Sequence, residues 1–248
     1  MEGPFRIEDI IKEEKLRNIF NQVFDHRAAE AIHKLANDGF IDCLEHIIST
    51  GKEAHVYRAV DKAGNARAVK IYKIETSYFK NMRAYIEGDL RFKHIGHDKQ
   101  DIIYQWTRKE YKNLEKFTEA EVRVPIPYAF NLNVLVMEFI GNKEAAPLLK
   151  EAPIADLNFL YNNLAEQLAK MIYKAKLVHA DLSEYNILNF HNEPVIIDCG
   201  QAVLLSHPNA KRFFERDLQN LANYFTKQGL EKTPEEMKAD IRALKGRV

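Results

Sequence analysis

Residues 178–200 decide the fold, and they read Val178-His179-Ala180-Asp181-Leu182-Ser183-Glu184-Tyr185-Asn186-Ile187-Leu188 and, further on, Val195-Ile196-Ile197-Asp198-Cys199-Gly200. Two short apolar runs separated by His191-Asn192-Glu193 predict a β-hairpin. The hairpin would bring Asn186 and Asp198 close together. Their oxygens suit Mg²⁺, while Asp181 could orient an attacking hydroxyl group. Each residue alone is weak evidence, but the ordered set points to phosphoryl transfer.

Composition limits the size of the domain, the classes of partner and the location that we expect. The chain has 248 residues, of which 46% are hydrophobic, enough for the core of one large domain or two lobes. The formal net charge is zero, which gives no global argument for a nucleic-acid or membrane surface. Cys43 and Cys199 are too few for a disulfide framework, so we expect a reducing, cytoplasmic location. No apolar run approaches the roughly 18 residues of a membrane span, and the N-terminus does not resemble an export signal.

The first third of the chain changes from a helical to a strand-like pattern. Residues 8–38 have apolar side chains three or four positions apart, which predicts two helices ending near Gly39 and packing on the core. From Cys43 onward, β-rich runs cover 43–48, 54–60 and 66–74. The turn between the first two runs contains Ser49, Thr50, Gly51 and Lys52. It could hold phosphates through its backbone N–H groups, or be a bare hairpin turn that binds nothing.

A lysine and a glutamate are candidates for an ion pair. Lys70 lies between Val69 and Ile71, and strand alternation directs it to the opposite face from both. A helix is expected at about 107–117, with Thr107 as its N-cap and Glu110 as the possible partner of Lys70.

Residues 75–107 form a charged, aromatic-rich insertion with weak periodicity. A solvated excursion is one interpretation, and contact with RNA or a protein partner is the other. The second interpretation depends on four basic residues, Lys80, Arg83, Arg91 and Lys93.

The remaining chain completes one lobe and predicts a second. Two more strands are expected at 122–124 and 134–137, with a turn at Pro125 and Pro127 and a connector at 138–141. A long amphipathic helix follows over 157–175, and a second helix begins near Ser206 and Pro208 and runs to Gly229. Thr233-Pro234-Glu235-Glu236 predicts a capping box that starts a short last helix.

Taken together, these motifs resemble the protein-kinase signature, with its strand lysine, helix glutamate, H-x-D-x-x-x-x-N loop and D-x-G. Lys70, Glu110, 179–186 and 198–200 occur in that order. The glycine-rich loop and the A-P-E motif of ordinary kinases are absent, and Cys199 replaces the usual phenylalanine. The S-T-G-K-E-A turn, residues 177–186 and Gly200-Gln201-Ala202-Val203 resemble the RIO family of atypical protein kinases. The resemblance covers about 45–228 and is to the first, non-winged-helix subfamily in a minimal, archaeal-like form.

The resemblance implies an α+β, bilobal protein-kinase-like fold. Its first lobe would have a five-stranded antiparallel sheet plus a helix, its second would be mainly helical, and extra helices would precede both. The implied domains are 1–42, 43–137 and 138–248. About five residues would separate Gly200 from the next helix, leaving no room for a peptide-binding activation segment.

The resemblance also implies roles for individual residues. Lys70 would hold the α- and β-phosphates of ATP, oriented by Glu110, and Asp181 would be the catalytic base or water positioner. Asn186 and Asp198 would bind Mg²⁺ or Mn²⁺, and Asp198 could also accept the phosphoryl group. The remaining nucleotide contacts would come from the turn at Ser49, Thr50, Gly51 and Lys52, the side chains of Val56 and Met137, and the backbone at Glu138 and Ile140. Asp217 resembles the residue that braces the catalytic loop.

Three functions remain open at this stage. The first is an ATP-dependent serine/threonine kinase or ATPase that acts in maturation of the small ribosomal subunit, by resemblance alone. The second is a small-molecule phosphotransferase of the aminoglycoside or choline kinase type, against which the short sequence after Gly200 argues. The third is a nucleotide-gated assembly factor on a ribosomal precursor. The expected partners are ATP and that precursor, with no membrane and no specific DNA.

Overall fold

The computed structural model describes residues 5–7, 24–74, 82, 85–89, 91 and 98–248. The chain divides into two compact units. The first consists of Met1–Arg83, His94–Tyr111 and Ile126–Phe139, and the second of Ala84–Lys93, Lys112–Pro125 and Ile140–Val248. The domain boundaries at 1–42, 43–137 and 138–248 stay a prediction.

The first unit is built on an antiparallel sheet in the order β1-β2-β3-β4-β6-β5. Its strands are β1 (Phe5–Arg6), β2 (Cys43–Thr50), β3 (Ala54–Val60), β4 (Ala66–Tyr72), β5 (Pro127–Asn131) and β6 (Val134–Glu138). Apart from the two-residue β1, the predicted five-stranded antiparallel sheet is confirmed, with four strands at the predicted positions and β5 in place of the strand predicted at 122–124. The two-residue β1, which pairs with Cys43 and Leu44, was not predicted.

One face of this sheet packs against helix α1 (His26–Asn37), whose N-cap is the Asp25 side chain. The buried cluster joins Ala28, Ile32 and Leu35 of the helix to alternate residues of the sheet, including Val69 and Val136. The helix is one of the two predicted before Gly39. The other falls on residues outside those that the structure describes.

Helix α2 (Lys99–Glu119) begins eight residues earlier than the sequence predicted. Thr107 is not an N-cap, because it is fully buried and its hydroxyl donates to the Ile103 carbonyl within the helix, at 3.0 Å. The prediction of an insertion through residue 107 is therefore wrong for 99–107, where Ile103 and Trp106 are buried helical residues. Lys80, Arg83 and Lys93 lie outside the described residues, so their proposed contact with RNA stays a prediction.

The predicted strand at 122–124 is also wrong. Val122 and Val124 are buried, but the backbone between them bonds elsewhere. The Arg123 N–H donates to the Gln167 side chain at 2.7 Å, and the Arg123 carbonyl accepts from Ile196 at 2.9 Å. The alternation of apolar residues thus reflects burial and not sheet pairing. The strand in this part of the chain is β5, which begins at Pro127. It lies at the edge of the sheet, where a proline, which has no backbone N–H, is tolerated.

The second unit is mainly helical, with α3 (Leu157–Lys170), a π-helical turn at Met171–Ala175, α4 (Ala210–Lys227) and α5 (Pro234–Ala243). Two small antiparallel pairs join β7 (Leu177–Val178) to β10 (Val203–Leu204) and β8 (Ile187–Phe190) to β9 (Glu193–Ile196). The capping box of Thr233 and Glu236 is confirmed. Helix α4 begins at Ala210, so the segment after Gly200 is longer than predicted. None of the described helices is long and apolar enough to cross a membrane.

Candidate active site

The predicted hairpin is present and brings the two proposed metal ligands together. His191 and Asn192 form its turn, and both have the positive φ angles, 56° and 65°, that a tight two-residue hairpin turn requires. Beyond the end of the paired strands, the Ile197 N–H donates to the Asn186 carbonyl at 3.0 Å. Asp198 is the next residue in the chain. The sequence therefore places Asn186 and Asp198 on the two adjacent ends of one hairpin.

The predicted catalytic loop (residues 179–186), which precedes this hairpin, is fixed from helix α4. Ala180 has a left-handed backbone, with φ of 69°, which is costly for a residue other than glycine. The Asp217 carboxylate accepts the N–H groups of Ala180 and Leu182 at 2.8 and 2.9 Å. The Arg216 guanidinium donates to the Ala180 carbonyl. These contacts hold the strained backbone on both sides of Asp181, as the brace expected at Asp217 would.

Asp181 lies among side chains that restrict its carboxylate. Gln201 donates to its Oδ2 at 3.0 Å, and the Asn186 amide donates to its backbone carbonyl at 2.7 Å. Burial raises the pKa of Asp181, and the negative charge of Asp198 raises it further, while Arg216 and the amide donors oppose the rise. A raised carboxyl pKa suits a group that must accept a proton from a hydroxyl.

The residues at the end of the hairpin fit a magnesium site. The Asn186 Nδ2 is anchored on the Asp181 carbonyl, which fixes the amide orientation. Asp198 has a left-handed backbone, with φ of 58°, and begins the 3₁₀ turn Cys199–Gln201. Within the described residues there is no cluster of three His, Cys, Asp or Glu side chains suited to a metal. One carboxylate and one amide oxygen nevertheless fit Mg²⁺, which keeps several waters and binds substrate phosphates.

In the first unit, Lys70 and Glu110 form the predicted ion pair. Lys70 Nζ lies 2.9 Å from Glu110 Oε1, and Glu110 is 1% exposed. The hydroxyl of Tyr72 donates to the other carboxylate oxygen. The pair is therefore buried and fully engaged, which fixes the position of the lysine ammonium group.

Strand register places two of the predicted adenine-contacting side chains on the same face of the sheet as Lys70. Val56 is the direct cross-strand partner of Lys70. Met137 is the partner of Ala68, which lies two residues from Lys70 on the same strand. Cross-strand partners, and residues two apart, share a face. Val56, Met137 and Lys70 therefore lie on the face opposite the one that packs on α1.

Backbone bonds restrict how the predicted backbone contacts with adenine could form. The Glu138 N–H donates to the Ile126 carbonyl at 2.8 Å, so an adenine contact at Glu138 would use its carbonyl. The Ile140 carbonyl accepts from the Ala146 N–H at 2.9 Å, so a contact there would use the N–H.

The predicted phosphate turn is an exposed hairpin turn between β2 and β3. Ser49, Thr50 and Lys52 are exposed, and the Gly51 N–H donates to the Ala54 carbonyl at 2.9 Å. The Gly51 amide is therefore already committed within the turn, and any phosphate contact would use other groups. A phosphate-binding role for this turn stays a prediction.

Several residues of the site were not assigned roles from the sequence. Gln201 bonds to Asp181, Arg216 and Asn220 bond to the backbone of the catalytic loop, and Tyr72 bonds to Glu110. Gln201 belongs to the Gly200-Gln201-Ala202-Val203 motif, and its position three residues after Asp198 was the one sequence feature that could have indicated a role in the site. The others come from remote parts of the chain, and no local pattern marks them.

Glu110→Gln is expected to lower the free energy of unfolding by about 1–3 kcal/mol. A neutral amide can still accept a hydrogen bond from Lys70, but the charge that balances the buried ammonium is lost. Urea unfolding of both proteins measures the difference. Glu115→Gln, on an exposed ion pair of the same helix, is the matched control and should change stability by less than about 1 kcal/mol. Equal effects of the two substitutions would contradict a special role for the buried pair.

Asp217 provides a prediction about pH. Burial raises its pKa to about 7, in spite of the two N–H donors and Arg216. The folded protein therefore binds a proton more tightly than the unfolded chain, and this group's contribution to stability is lost as pH rises toward 7. Asp217→Asn should remove that pH dependence. In unfolding measurements from pH 5 to 8, the stability advantage of the original protein over the variant should shrink with rising pH, and a constant or growing advantage would contradict the assignment.

Comparison with known proteins decides the family. A family model described as the RIO domain matches residues 55–238. The chain belongs to the RIO domain family. The RIO-type serine/threonine-protein kinase Rio1 of Haloferax volcanii is 47% identical over 208 residues, which cover 84% of this chain and 71% of that protein. The corresponding Rio1 of Thermoplasma acidophilum is 44% identical over 188 residues, covering 75% of this chain and 98% of that protein.

These relatives confirm the resemblance seen in the sequence, and this RIO-family chain is an atypical serine/threonine-protein kinase. The protein-kinase-like α+β fold is confirmed by a solved structure, the Rio2 kinase-ADP/Mg²⁺-phosphoaspartate complex from Chaetomium thermophilum. That structure matches with a TM-score of 0.64 and 22% identity over 90% of this chain and 67% of that chain. At this identity the likeness concerns the fold alone.

Proposed function

We propose that this kinase transfers the γ-phosphoryl group of ATP, with Mg²⁺ or Mn²⁺, to a serine hydroxyl or to its own Asp198. One observation carries the proposal: the braced loop and hairpin bring Asp181, Asn186 and Asp198 together in the second unit. The buried pair of Lys70 and Glu110 in the first unit supports it. The family of kinases to which the chain belongs makes ATP the natural donor.

Each side chain would have one task in nucleotide binding. Lys70 would bind the α- and β-phosphates, held in place by Glu110. Val56 and Met137 would contact adenine from the sheet face that they share with Lys70. Asn186 and Asp198 would hold the metal ion, which, when bound, neutralises charge on the phosphate oxygens.

Transfer to serine would use Asp181 as the proton acceptor. The serine oxygen would form a bond to the γ-phosphorus while the bond from that phosphorus to the β-phosphate oxygen breaks, releasing ADP. The hydroxyl proton would pass to the Asp181 carboxylate, whose orientation Gln201 restricts.

Transfer to Asp198 would give an ATPase cycle. A carboxylate oxygen of Asp198 would form the bond to the γ-phosphorus, and ADP would leave. Water would then cleave the acyl phosphate, restoring the carboxylate and releasing phosphate, so that ATP and water become ADP and phosphate. The Rio2 kinase of Chaetomium thermophilum was solved with phosphoaspartate, which supports this route by analogy.

We further propose that the chain acts on a precursor of the small ribosomal subunit in the cytoplasm, as its family resemblance implies. A nucleotide-gated assembly factor would use the same ATPase cycle, with binding to the particle controlled by the nucleotide. A small-molecule phosphotransferase is the less favoured alternative, because the similar proteins are named serine/threonine-protein kinases.

Incubation with γ-labelled ATP, Mg²⁺ and purified small-subunit particles tests these proposals together. Acid-stable phosphoserine on added protein would support the kinase route, and hydroxylamine-labile label on the chain would support the Asp198 route. Nucleotide-dependent association with the particles would support the ribosomal role. Transfer without association would leave the chemistry intact and remove the ribosomal role.

A further inference from the structure

Residues 85–89 and 91 dock closely within the second unit, on parts of the chain that surround the proposed site. The ring of Tyr85 lies 5.3 Å from the ring of Phe213 on α4, measured between centroids. Gly88 lies so close to His207 that a Cβ atom at this position would collide with the imidazole ring. A larger residue at position 88 could not occupy this arrangement without displacing its neighbour. The segment is therefore fitted to this surface.

From this segment, a chain of hydrogen bonds runs to the turn that follows Asp198. Asp89 is buried and accepts from Arg91 at 2.9 and 2.6 Å. Arg91 in turn donates to Asn113 Oδ1 at 2.8 Å. Asn113, which is fully buried on α2, donates through Nδ2 to the carbonyls of Cys199 and Ala202 at 2.8 and 3.0 Å. Arg91 is one of the four basic residues on which the RNA interpretation of 75–107 depends, but its guanidinium is engaged inside this network.

The hydrogen bonds of Asn113 fix the orientation of its side-chain amide. Because Arg91 occupies the amide oxygen, the amide nitrogen must face the turn. Its two N–H groups then pin carbonyls on both sides of Gly200 and Gln201. The pinned turn starts at Asp198, whose left-handed backbone needs support from its surroundings.

A second connection reaches the catalytic loop. The Arg216 guanidinium donates a hydrogen bond to the Tyr85 hydroxyl. Arg216 also donates to the carbonyl of Ala180, next to Asp181. The segment is thus connected to both halves of the proposed site, through Asn113 to the turn and through Arg216 to the loop.

We propose that residues 85–89 and 91 are a positioning element for metal binding, acting through Arg91 and Asn113 on the turn that carries Asp198. The inference rests on the proposed metal role of Asp198. When the segment is docked, the turn is held in the geometry that binds Mg²⁺. Anything that displaces the segment, such as a partner that binds it, would lower the affinity for the metal ion. Arg91, Asn113 and Gly88 are positioning residues in this account, and none of them contacts substrate.

Two variants break the network at different points. Asn113→Asp keeps an oxygen for Arg91 but removes both N–H donors to the turn. Gly88→Ala leaves every hydrogen-bonding group in place and disturbs only the docking against His207. Gly246→Ala is the matched control, because a Cβ atom there would meet no other atom within 4 Å.

The readouts are ADP affinity at a series of Mg²⁺ concentrations and amide hydrogen exchange of the metal-free protein. Both variants should need about 10-fold or more Mg²⁺ for half of the metal-dependent gain in ADP affinity, while metal-free ADP affinity stays unchanged. Exchange should accelerate at 198–203 and remain unchanged in α5. The Gly246→Ala control should match the original protein in both measurements.

Three outcomes would overturn the inference or its foundation. Unchanged Mg²⁺ dependence and exchange in both variants would show that the segment does not position the turn. Equal acceleration in α5 would show general structural support instead of positioning. If the ADP affinity of the original protein does not depend on Mg²⁺, or if Asp198→Asn retains that dependence, the proposed metal role of Asp198 fails. In that case, accelerated exchange at 198–203 in Asn113→Asp and Gly88→Ala would still establish that the segment supports the turn.

Discussion

Replacing Asp181 with asparagine is expected to lower phosphoryl transfer from ATP by about 10²–10⁴-fold, while the folded protein still binds nucleotide. The asparagine side chain has the same shape but cannot accept the proton of an attacking hydroxyl. The backbone on both sides is held by Asp217 and Arg216, so the substitution should leave the loop in place. The loss should therefore appear in kcat and not in nucleotide affinity.

The measurement is the rate of ADP formation and of phosphoryl transfer at saturating ATP, beside direct measurement of ADP binding. Asp38→Asn provides the matched control, since Asp38 is exposed and its ion pair with Lys34 lies on the surface. Activity of Asp181→Asn within a few-fold of the control would show that another group accepts the proton.

Asp198→Asn should lower transfer by about 10²–10³-fold and abolish hydroxylamine-labile labelling of the chain. Asparagine tolerates the left-handed backbone at this position, so the change removes the carboxylate charge and nucleophile without straining the turn. Both of the roles proposed for Asp198, metal ligand and phosphoryl acceptor, depend on that carboxylate.

The comparison of Asp198→Asn with the original protein separates the two routes. If Asp198 is the acceptor, its variant carries no acyl phosphate after incubation with γ-labelled ATP, whatever the Mg²⁺ concentration. If Asp198 only binds metal, neither the original protein nor the variant carries such label, and Mg²⁺ dependence alone changes. Persistence of hydroxylamine-labile label in Asp198→Asn would place the acceptor elsewhere in the chain.

Local sequence patterns were sufficient for the parts of the fold that depend on short-range structure. The hairpin after Asn186 was predictable because two apolar runs flank a turn of residues that accept positive φ angles. The capping box at Thr233 and Glu236 was predictable because its two bonds join residues three positions apart. The pairing of Lys70 with Glu110 needed the family resemblance, since 40 residues separate the two in sequence.

The predictions that were wrong concern segments whose structure is determined by long-range contacts and not by the local sequence pattern. Thr107 has the residue type of an N-cap, but its hydroxyl bonds to the turn before it inside a longer helix. The alternation around Arg123 suggested a strand, although its backbone bonds to a helix side chain and to β9. The connection from Arg91 through Asn113 to Cys199 joins three distant segments, and no short pattern could reveal it.

The most direct test of the account is the fate of the γ-phosphate when the purified chain is given labelled ATP with and without Mg²⁺. We expect that, with Mg²⁺, label leaves ATP for serine, Asp198 or water, that chelation of the metal suppresses all of this transfer, and that Asp181→Asn suppresses the transfer to serine. Nucleotide that binds with its γ-phosphate intact under every condition, with added protein and small-subunit particles present, would contradict it.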